Sequence, residues 1–359
     1  MKNNSWHVRI WSIWFWPQLI GIPFVVLSTL GFYFSPNPIA FFAPFALIFP
    51  VIIIWILFWT IISILRLKSA SILVIVIIGL SYPQWKGLAN IHRPEEISNS
   101  TFKIASWNVH HWRNINWTDP YSTEIKMSNW ILGINPDILC LQENESKTSA
   151  FEILRDSFPY ETARKDERLT IYSKYPIIQW DFEQYYSDYP GHRGFIWADI
   201  ELSDPDGNID TIRITNIHLV TTTFDKNNAL KTNEKLGFSR SIYNSFKSLT
   251  KTAKKRNEQL EQILEWKNHS KHPVFIAGDF NELPTSNAYY RATQEMIDAF
   301  AISGSGIGST FKNLWEIPLR IDWILCPKES ILQSTKQFDQ EWSDHNPVII
   351  EISPFVFNN

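Results

Sequence analysis

The first quarter of the chain restricts its fold more than any other feature. Ile10 to Phe34, Ile39 to Leu65 and Ala70 to Trp85 are apolar throughout, and the first two exceed the ~20 residues a helix needs to cross a bilayer. The segments read as membrane-spanning helices over 10–34, 39–65 and 70–85, with Trp14, Trp16, Trp55, Trp59 and Trp85 where an interfacial aromatic belt would sit. A cleaved signal peptide would be one short apolar region with a small-residue cleavage site. A buried core hairpin is the soluble alternative, but such long uncharged runs are rare in soluble cores.

Basic residues set the orientation. Lys2 and Arg9 precede the first segment, Arg66 and Lys68 separate the second from the third, and the 35–38 turn carries none. The N-terminus and the second loop are therefore expected in the cytoplasm. Three crossings place everything after about residue 87 on the outer side, whereas a third segment lying in the interface would reverse that. Three spans without a eukaryotic targeting signal point to a bacterial inner membrane, with a multi-pass anchor and an extracytoplasmic catalytic domain.

Composition changes near residue 86, so the net charge of −3 over 359 residues averages two materials and implies no strongly charged partner. Residues 87–101, with Arg93, Pro94, Glu95 and Glu96, read as a polar tether before a domain over 102–359. Cys140 and Cys326 each sit in an apolar run and read as buried free thiols; a single bridge in an oxidising compartment is the alternative. Nothing in the sequence points to a protein partner.

Strand patterns fall at Phe102–Asn108, Ile138–Gln142, Thr170–Ser173, Phe195–Leu202, Thr211–Leu219, Val274–Ala277, Ile321–Leu325 and Val348–Ile352. Helices are expected at Ser122–Gly133 and about Ser239–His269, where Leu249, Leu260, Ile263, Leu264 and Trp266 form a partial apolar stripe. Lys251, Lys254, Lys255 and Arg256 on the second helix are either a solvated face or a guide for a phosphate substrate.

The strand ends deliver Asn108, Glu143, His218, Asp279 with Asn281, Asp322, and Asp344 with His345. One polar residue after a strand is an ordinary turn. Six such points that could converge at one sheet edge fit metal-assisted hydrolysis of a phosphoester. A hard dication takes oxygen ligands such as Glu143 and Asn108, Asp279 can deprotonate a water, and Asn281 and the imidazoles can donate to phosphate.

The series Ser106-Trp107-Asn108, Leu141-Gln142-Glu143, Asn216-Ile217-His218-Leu219, Gly278-Asp279-Phe280-Asn281, Ile321-Asp322 and Ser343-Asp344-His345-Asn346 resembles the motifs of the endonuclease/exonuclease/phosphatase superfamily. The resemblance implies an α/β four-layer sandwich, two central mixed or antiparallel sheets flanked by helices. It implies Mg²⁺, with Mn²⁺ as the alternative ion, held by Glu143, Asn108 and Asp344. Asp279 would position the water, Asn281 would hold the phosphate, His345 would pair with Asp322, His218 would contact phosphate or the leaving oxygen, and Tyr172 would border the cleft.

Two departures stand out: His110 occupies a position where apurinic endonucleases carry an aspartate, and Arg168-Leu169 replaces a glycine ahead of the Ile171 strand. His110 and His111 are expected in supporting or surface roles, and His192-Arg193 either near phosphate or in a solvated loop. The expected activity is hydrolysis of phosphodiester bonds by a membrane-anchored enzyme, foremost a nuclease. A sphingomyelinase-like phospholipid phosphodiesterase is the second reading, and a non-catalytic membrane-held binding domain the third.

Overall fold

The computed structural model describes residues 4–34, 40–64, 70–91, 101–113, 120–145, 149–162, 168–186, 194–203, 209–222, 235–312 and 318–353. His192 and Arg193 lie outside them. The chain forms two units: Met1–Leu88, Thr222–Asn257 and Leu283–Tyr290 make the first, and Ala89–Thr221, Glu258–Glu282 and Arg291–Asn359 the second.

The first unit holds helices α1 (Asn4–Tyr33), α2 (Ala43–Ile64), α3 (Ala70–Leu80) and α4 (Tyr82–Lys86). Ala43–Ile62 is long and apolar enough to cross a membrane, and Pro17–Tyr33 is a shorter apolar helix by the same measure. The third expected segment breaks at Ser81, whose hydroxyl donates to the Ile78 carbonyl at 2.9 Å before a new helix starts at Tyr82.

The polar ends of these helices are closed by the segment Leu283–Tyr290. Pro50 inside α2 has no N–H, so the Ala46 carbonyl loses its helical donor. Thr285 Oγ1 supplies the missing bond at 2.7 Å. At the other helix end Asn287 Nδ2 donates to the Phe32 carbonyl, one of the last in α1, at 2.7 Å. Gln84, fully buried, accepts from Thr29 Oγ1 at 2.9 Å and donates to Ser28 Oγ at 3.1 Å and to the Thr285 carbonyl at 3.3 Å. The end of α1, the start of α2 and helix α4 thus meet on one side.

The second unit begins with β1 (Ala89–Ile91), where a tether was expected; residues 92–100 lie outside the described residues. Along the chain follow β2 (Phe102–Asn108), α5 (Pro120–Ile134), β3 (Ile138–Gln142), α6 (Ser149–Arg155), β4 (Tyr160–Glu161), β5 (Thr170–Ser173), β6 (Ile177–Gln184), β7 (Gly194–Ser203) and β8 (Ile209–His218). Then come α7 (Lys235–Lys267), which runs from the first unit into the second, β9 (Val274–Asp279), α8 (Asn287–Glu295), β10 (Ile297–Asp298), α9 (Ala299–Ser303), β11 (Ser305–Ile307), β12 (Asp322–Cys326), β13 (Leu332–Gln337) and β14 (Val348–Ile352). β1 pairs antiparallel with β11.

Two six-stranded sheets carry the domain, ordered β13-β14-β2-β3-β5-β4 and β10-β12-β9-β8-β7-β6. β2–β3 and β8–β9 are parallel, and each pair is joined through a long helix, α5 or α7, as a parallel crossover requires. Alternation along the strands builds the layers. Ile104, Ile138, Cys140, Ile171 and Ile350 of the first sheet pack with Ile196, Ala198, Ile214, Phe275 and Ile324 of the second. On the opposite face of the first sheet, Ala105, Trp107, Leu139 and Leu141 pack with Met127 and Ile131 of α5 and Leu154 of α6. On the second sheet Trp266 of α7 lies 5.5 Å from Trp197. The result is helix, sheet, sheet, helix. Cys140 and Cys326 are free and buried in the shared core.

Candidate active site

Three neighbouring strands bring their last polar residues into one row. His218 of β8 stands opposite Asp279 of β9, and Asp279 opposite Asp322 of β12. Gly278 makes this crowding feasible: its φ is +145°, and a Cβ there would sit 2.0 Å from the Ile217 carbonyl oxygen. After Asp279 the chain turns through Asn281, whose φ is +52°, and the turn is closed by the Asn281 N–H donating to Asp279 Oδ1 at 2.8 Å. The Asn281 amide then donates to the Leu219 carbonyl at 3.0 Å and to Thr221 Oγ1 at 3.3 Å.

The facing sheet supplies the other half. Asn108 ends β2 and donates to Asp279 Oδ2 at 3.2 Å. Ser343 Oγ donates to the Asn108 carbonyl at 2.8 Å and accepts from the His345 N–H at 3.0 Å, while Trp107 Nε1 holds the His345 carbonyl at 2.9 Å. The His345 ring is thereby aimed between two carboxylates, with Nδ1 2.9 Å from Asp322 Oδ2 and Nε2 3.7 Å from Asp279 Oδ2. His218 Nε2 lies 3.4 Å from the same Asp279 oxygen. Asp279, Asp322 and His345 are buried, and their ligand atoms all lie within 4.8 Å of one another.

Two supports were invisible in the strand pattern. Thr310 Oγ1 accepts from the Ile321 and Asp322 N–H groups at 2.9 and 3.0 Å, holding the start of β12. Gln142 Nε2 donates to Asn216 Oδ1 at 2.7 Å, and Asn216 Nδ2 donates to the Leu141 and Thr170 carbonyls at 2.8 and 3.0 Å. That buried pair links the two sheets just behind Glu143 and His218. Gln142 and Ser343 belong to the motif series and could have been found there; Thr310 carried no signal.

Burial is the largest influence on Asp279, followed by the nearby Asp322 carboxylate; together they raise its carboxyl to about 7 against the opposing pull of His345, Asn281 and Asn108. Burial alone would lower His345, but the carboxylates of Asp322 and Asp279 outweigh it and raise the imidazole to about 10. The site therefore holds an imidazolium between two carboxyl groups at neutral pH.

Glu143 and Asp344 lie beside a histidine pair. His110, His111 and Trp112 all take left-handed backbone angles, φ 45°, 55° and 60°, which are costly for side chains of this size. The turn sets His111 Nε2 3.2 Å from Glu143 Oε2 and His110 Nδ1 3.9 Å from Asp344 Oδ1. Glu143 is itself left-handed, φ 53°. Burial lowers the His111 imidazole, with Glu143 acting against it, so a neutral ring does not cancel the charge of the neighbouring carboxylate. Glu143 and Asp344 are both partly exposed carboxylates, oxygen donors of the hard class that a dication such as Mg²⁺ takes.

Tyr172 is a correction. Its side chain packs in the apolar cluster with Trp107, Trp112 and Phe158, not beside Asp279. Burial there raises its hydroxyl to about 12, with the Asn144 side chain bonded to it.

Two helix-flanked sheets meeting at this carboxylate and imidazole cluster define a metal-dependent phosphoric ester hydrolase. The chain belongs to the Endonuclease/Exonuclease/phosphatase family, whose model matches residues 105–345. Among solved structures it is similar to a conserved protein of unknown function from Enterococcus faecalis, at 18% identity and TM-score 0.53 over 70% of this chain and 99% of that one. An endonuclease/exonuclease/phosphatase from Bacteroides vulgatus is similar at 18% identity and TM-score 0.51, over 71% of this chain and 99% of that one. The human Nocturnin catalytic domain matches at 16% identity and TM-score 0.49, over 76% and 98%. No curated protein sequence gives a match.

Proposed function

We propose that the chain is a membrane-anchored, Mg²⁺-dependent phosphodiesterase in which Asp279 is the general base. The observation that carries this reading is the convergence of Asn108, His218 and His345 on one oxygen of Asp279, all within 3.7 Å. A buried carboxyl raised to about 7 is matched to accepting a proton from water near neutral pH. Asp279 orients that water and takes its proton. His345, kept charged by Asp322, donates to a phosphoryl oxygen as negative charge develops. His218 holds the phosphate from the side of β8, and the Asn281 amide joins it by turning away from the Leu219 carbonyl and Thr221 Oγ1. Glu143, Asn108 and Asp344 hold the ion, which when bound supplies Lewis-acid neutralisation of a non-bridging oxygen.

The helices α1 to α3 serve as a multi-pass anchor in a bacterial inner membrane. The bonds of Phe32, Ala46 and Gln84 to Leu283–Tyr290 support three passes, because the end of α1, the start of α2 and helix α4 share one side. With Lys2 and Arg9 in the cytoplasm, the catalytic domain is extracytoplasmic.

Nucleic acid is the first substrate class. A phospholipid head group is the second reading, and one observation favours it: the segment bonded to the anchor helices starts at Leu283, two residues after Asn281. The test is hydrolysis by the full chain of bis(p-nitrophenyl) phosphate, p-nitrophenyl phosphate, plasmid DNA and sphingomyelin, each with Mg²⁺ or EDTA. Metal-dependent cleavage of a diester but not the monoester is expected, and the natural substrate names the class. Silence on all four by a folded, Mg²⁺-binding protein would leave the binding-domain reading standing in its place.

A further inference from the structure

One exposed stripe of α7 changes sign along its length. Tyr243, Lys247, Lys251 and Lys254, then Glu258, Glu261 and Glu265, follow at intervals of three and four residues, which places them on one helix face, and all seven are exposed.

The basic half of the stripe belongs to the helical unit. Phe246 packs 5.2 Å from Phe41 and 6.1 Å from Phe45, at the start of α2. Asn257 Nδ2 donates to Asn287 Oδ1 at 2.9 Å, and Asn287 in turn holds the Phe32 carbonyl. The same end of the helices exposes Tyr33, Phe34, Phe41 and Tyr82. Aromatic side chains gathered at one end of apolar helices mark the level where hydrocarbon meets head groups. Lys247, Lys251 and Lys254 stand on the helix that packs against that end.

We propose that Lys247, Lys251 and Lys254 form a docking surface for the phosphates of an anionic lipid leaflet, with Tyr243 at its membrane-proximal end. The proposal rests on the membrane reading given above. Charge complementarity and continuity with the aromatic end of the helices select this occupant. A nucleic acid lying along α7 would run from the lysines onto Glu258, Glu261 and Glu265, a half of the stripe that carries no basic residue and in which Glu261 is paired with Arg291 at 2.8 Å, whereas a leaflet engages only the basic half.

The test uses the full chain reconstituted in nanodiscs of phosphatidylcholine alone or mixed with phosphatidylglycerol. A fluorophore is placed at Tyr243→Cys; Cys140 and Cys326 are buried and do not compete for the label. Quenching by a head-group spin label is expected to be greater in the anionic discs and to fall to the neutral level at high salt. Charge reversal at the lysines (K247E, K251E, K254E) should remove the difference, with about fivefold in local lipid association lost per lysine. Equal quenching in the two disc types overturns the proposal while the anchor reading stands. A fluorophore that responds to a single-stranded oligonucleotide and not to lipid charge overturns it in favour of a substrate guide. A chain that stays dispersed without lipid or detergent overturns the anchor reading itself.

Discussion

His345 Nδ1 lies 2.9 Å from Asp322 Oδ2, and the two residues come from different sheets: Asp322 opens β12, and His345 precedes β14. The pair fixes which ring nitrogen faces Asp279. Replacing Asp322 by Asn removes the charge that keeps the imidazole protonated while leaving its shape. The expected result is a loss of about 10² to 10⁴ in kcat, with the alkaline limb of the kcat/KM profile moving down in pH. A profile unchanged in position would remove His345 from the chemistry.

The same groups make stability depend on pH. His345 is raised from 6.5 to about 10, so its stabilisation is complete below 6.5 and is lost as pH rises through 10. Asp279 is raised from 3.8 to about 7, so the folded protein also holds this proton more tightly, and stability falls across that interval as the carboxyl ionises. Both effects have one sign. Metal-free protein should unfold at a lower temperature at pH 9 than at pH 6, and His345→Asn should flatten the upper part of that slope.

Asp279→Asn should lower kcat by about 10³ or more, since general base catalysis supplies up to about 10⁴. Folding should survive, because a neutral amide avoids the cost of a buried charge beside Asp322. Circular dichroism checks the fold. Retention of a tenth of the wild-type rate would assign the water to another residue.

Glu143→Gln tests the ion site without relying on turnover. An ion at a hundred times its Kd stabilises the folded state by about 2.7 kcal/mol, so Mg²⁺ should raise the Tm of the wild-type protein. The variant should fold and lose most of that rise. An equal rise in both would place the ion elsewhere.

Thr285→Val leaves the Ala46 carbonyl without the donor that replaces the one Pro50 lacks. Burying an unpaired polar group costs about 1–3 kcal/mol, and thermal unfolding should register it. A valine variant as stable as wild type would show that the carbonyl finds another donor.

Much of the domain was legible because its strands are buried and bounded by polar residues. Phe102–Asn108, Ile138–Gln142, Thr170–Ser173 and Val348–Ile352 fall where their apolar patterns predict. β6 was not legible: it lies at a sheet edge, its residues are exposed or half-buried, and it lacks the core-facing contrast that marks a strand. At the site, Asp279, Asp322 and His345 could be read from the motif series, but their meeting depends on strand register. Tyr172 misled because a strand beside a cleft has two faces, and its ring takes the one turned to α6. The bond from Thr285 to Ala46 spans 239 residues, and no local pattern encodes a contact at that distance.

The interleaving of the two units has a consequence for synthesis. The helical unit needs Met1–Leu88, Thr222–Asn257 and Leu283–Tyr290, yet ribosomes deliver them in that order, at about 5–20 residues per second. The Ala46 and Phe32 carbonyls wait some tens of seconds for Thr285 and Asn287, on that rate. The helical unit is therefore the first part of the chain to be made and among the last to be finished, and its completion coincides with translation of the loop that follows Asp279.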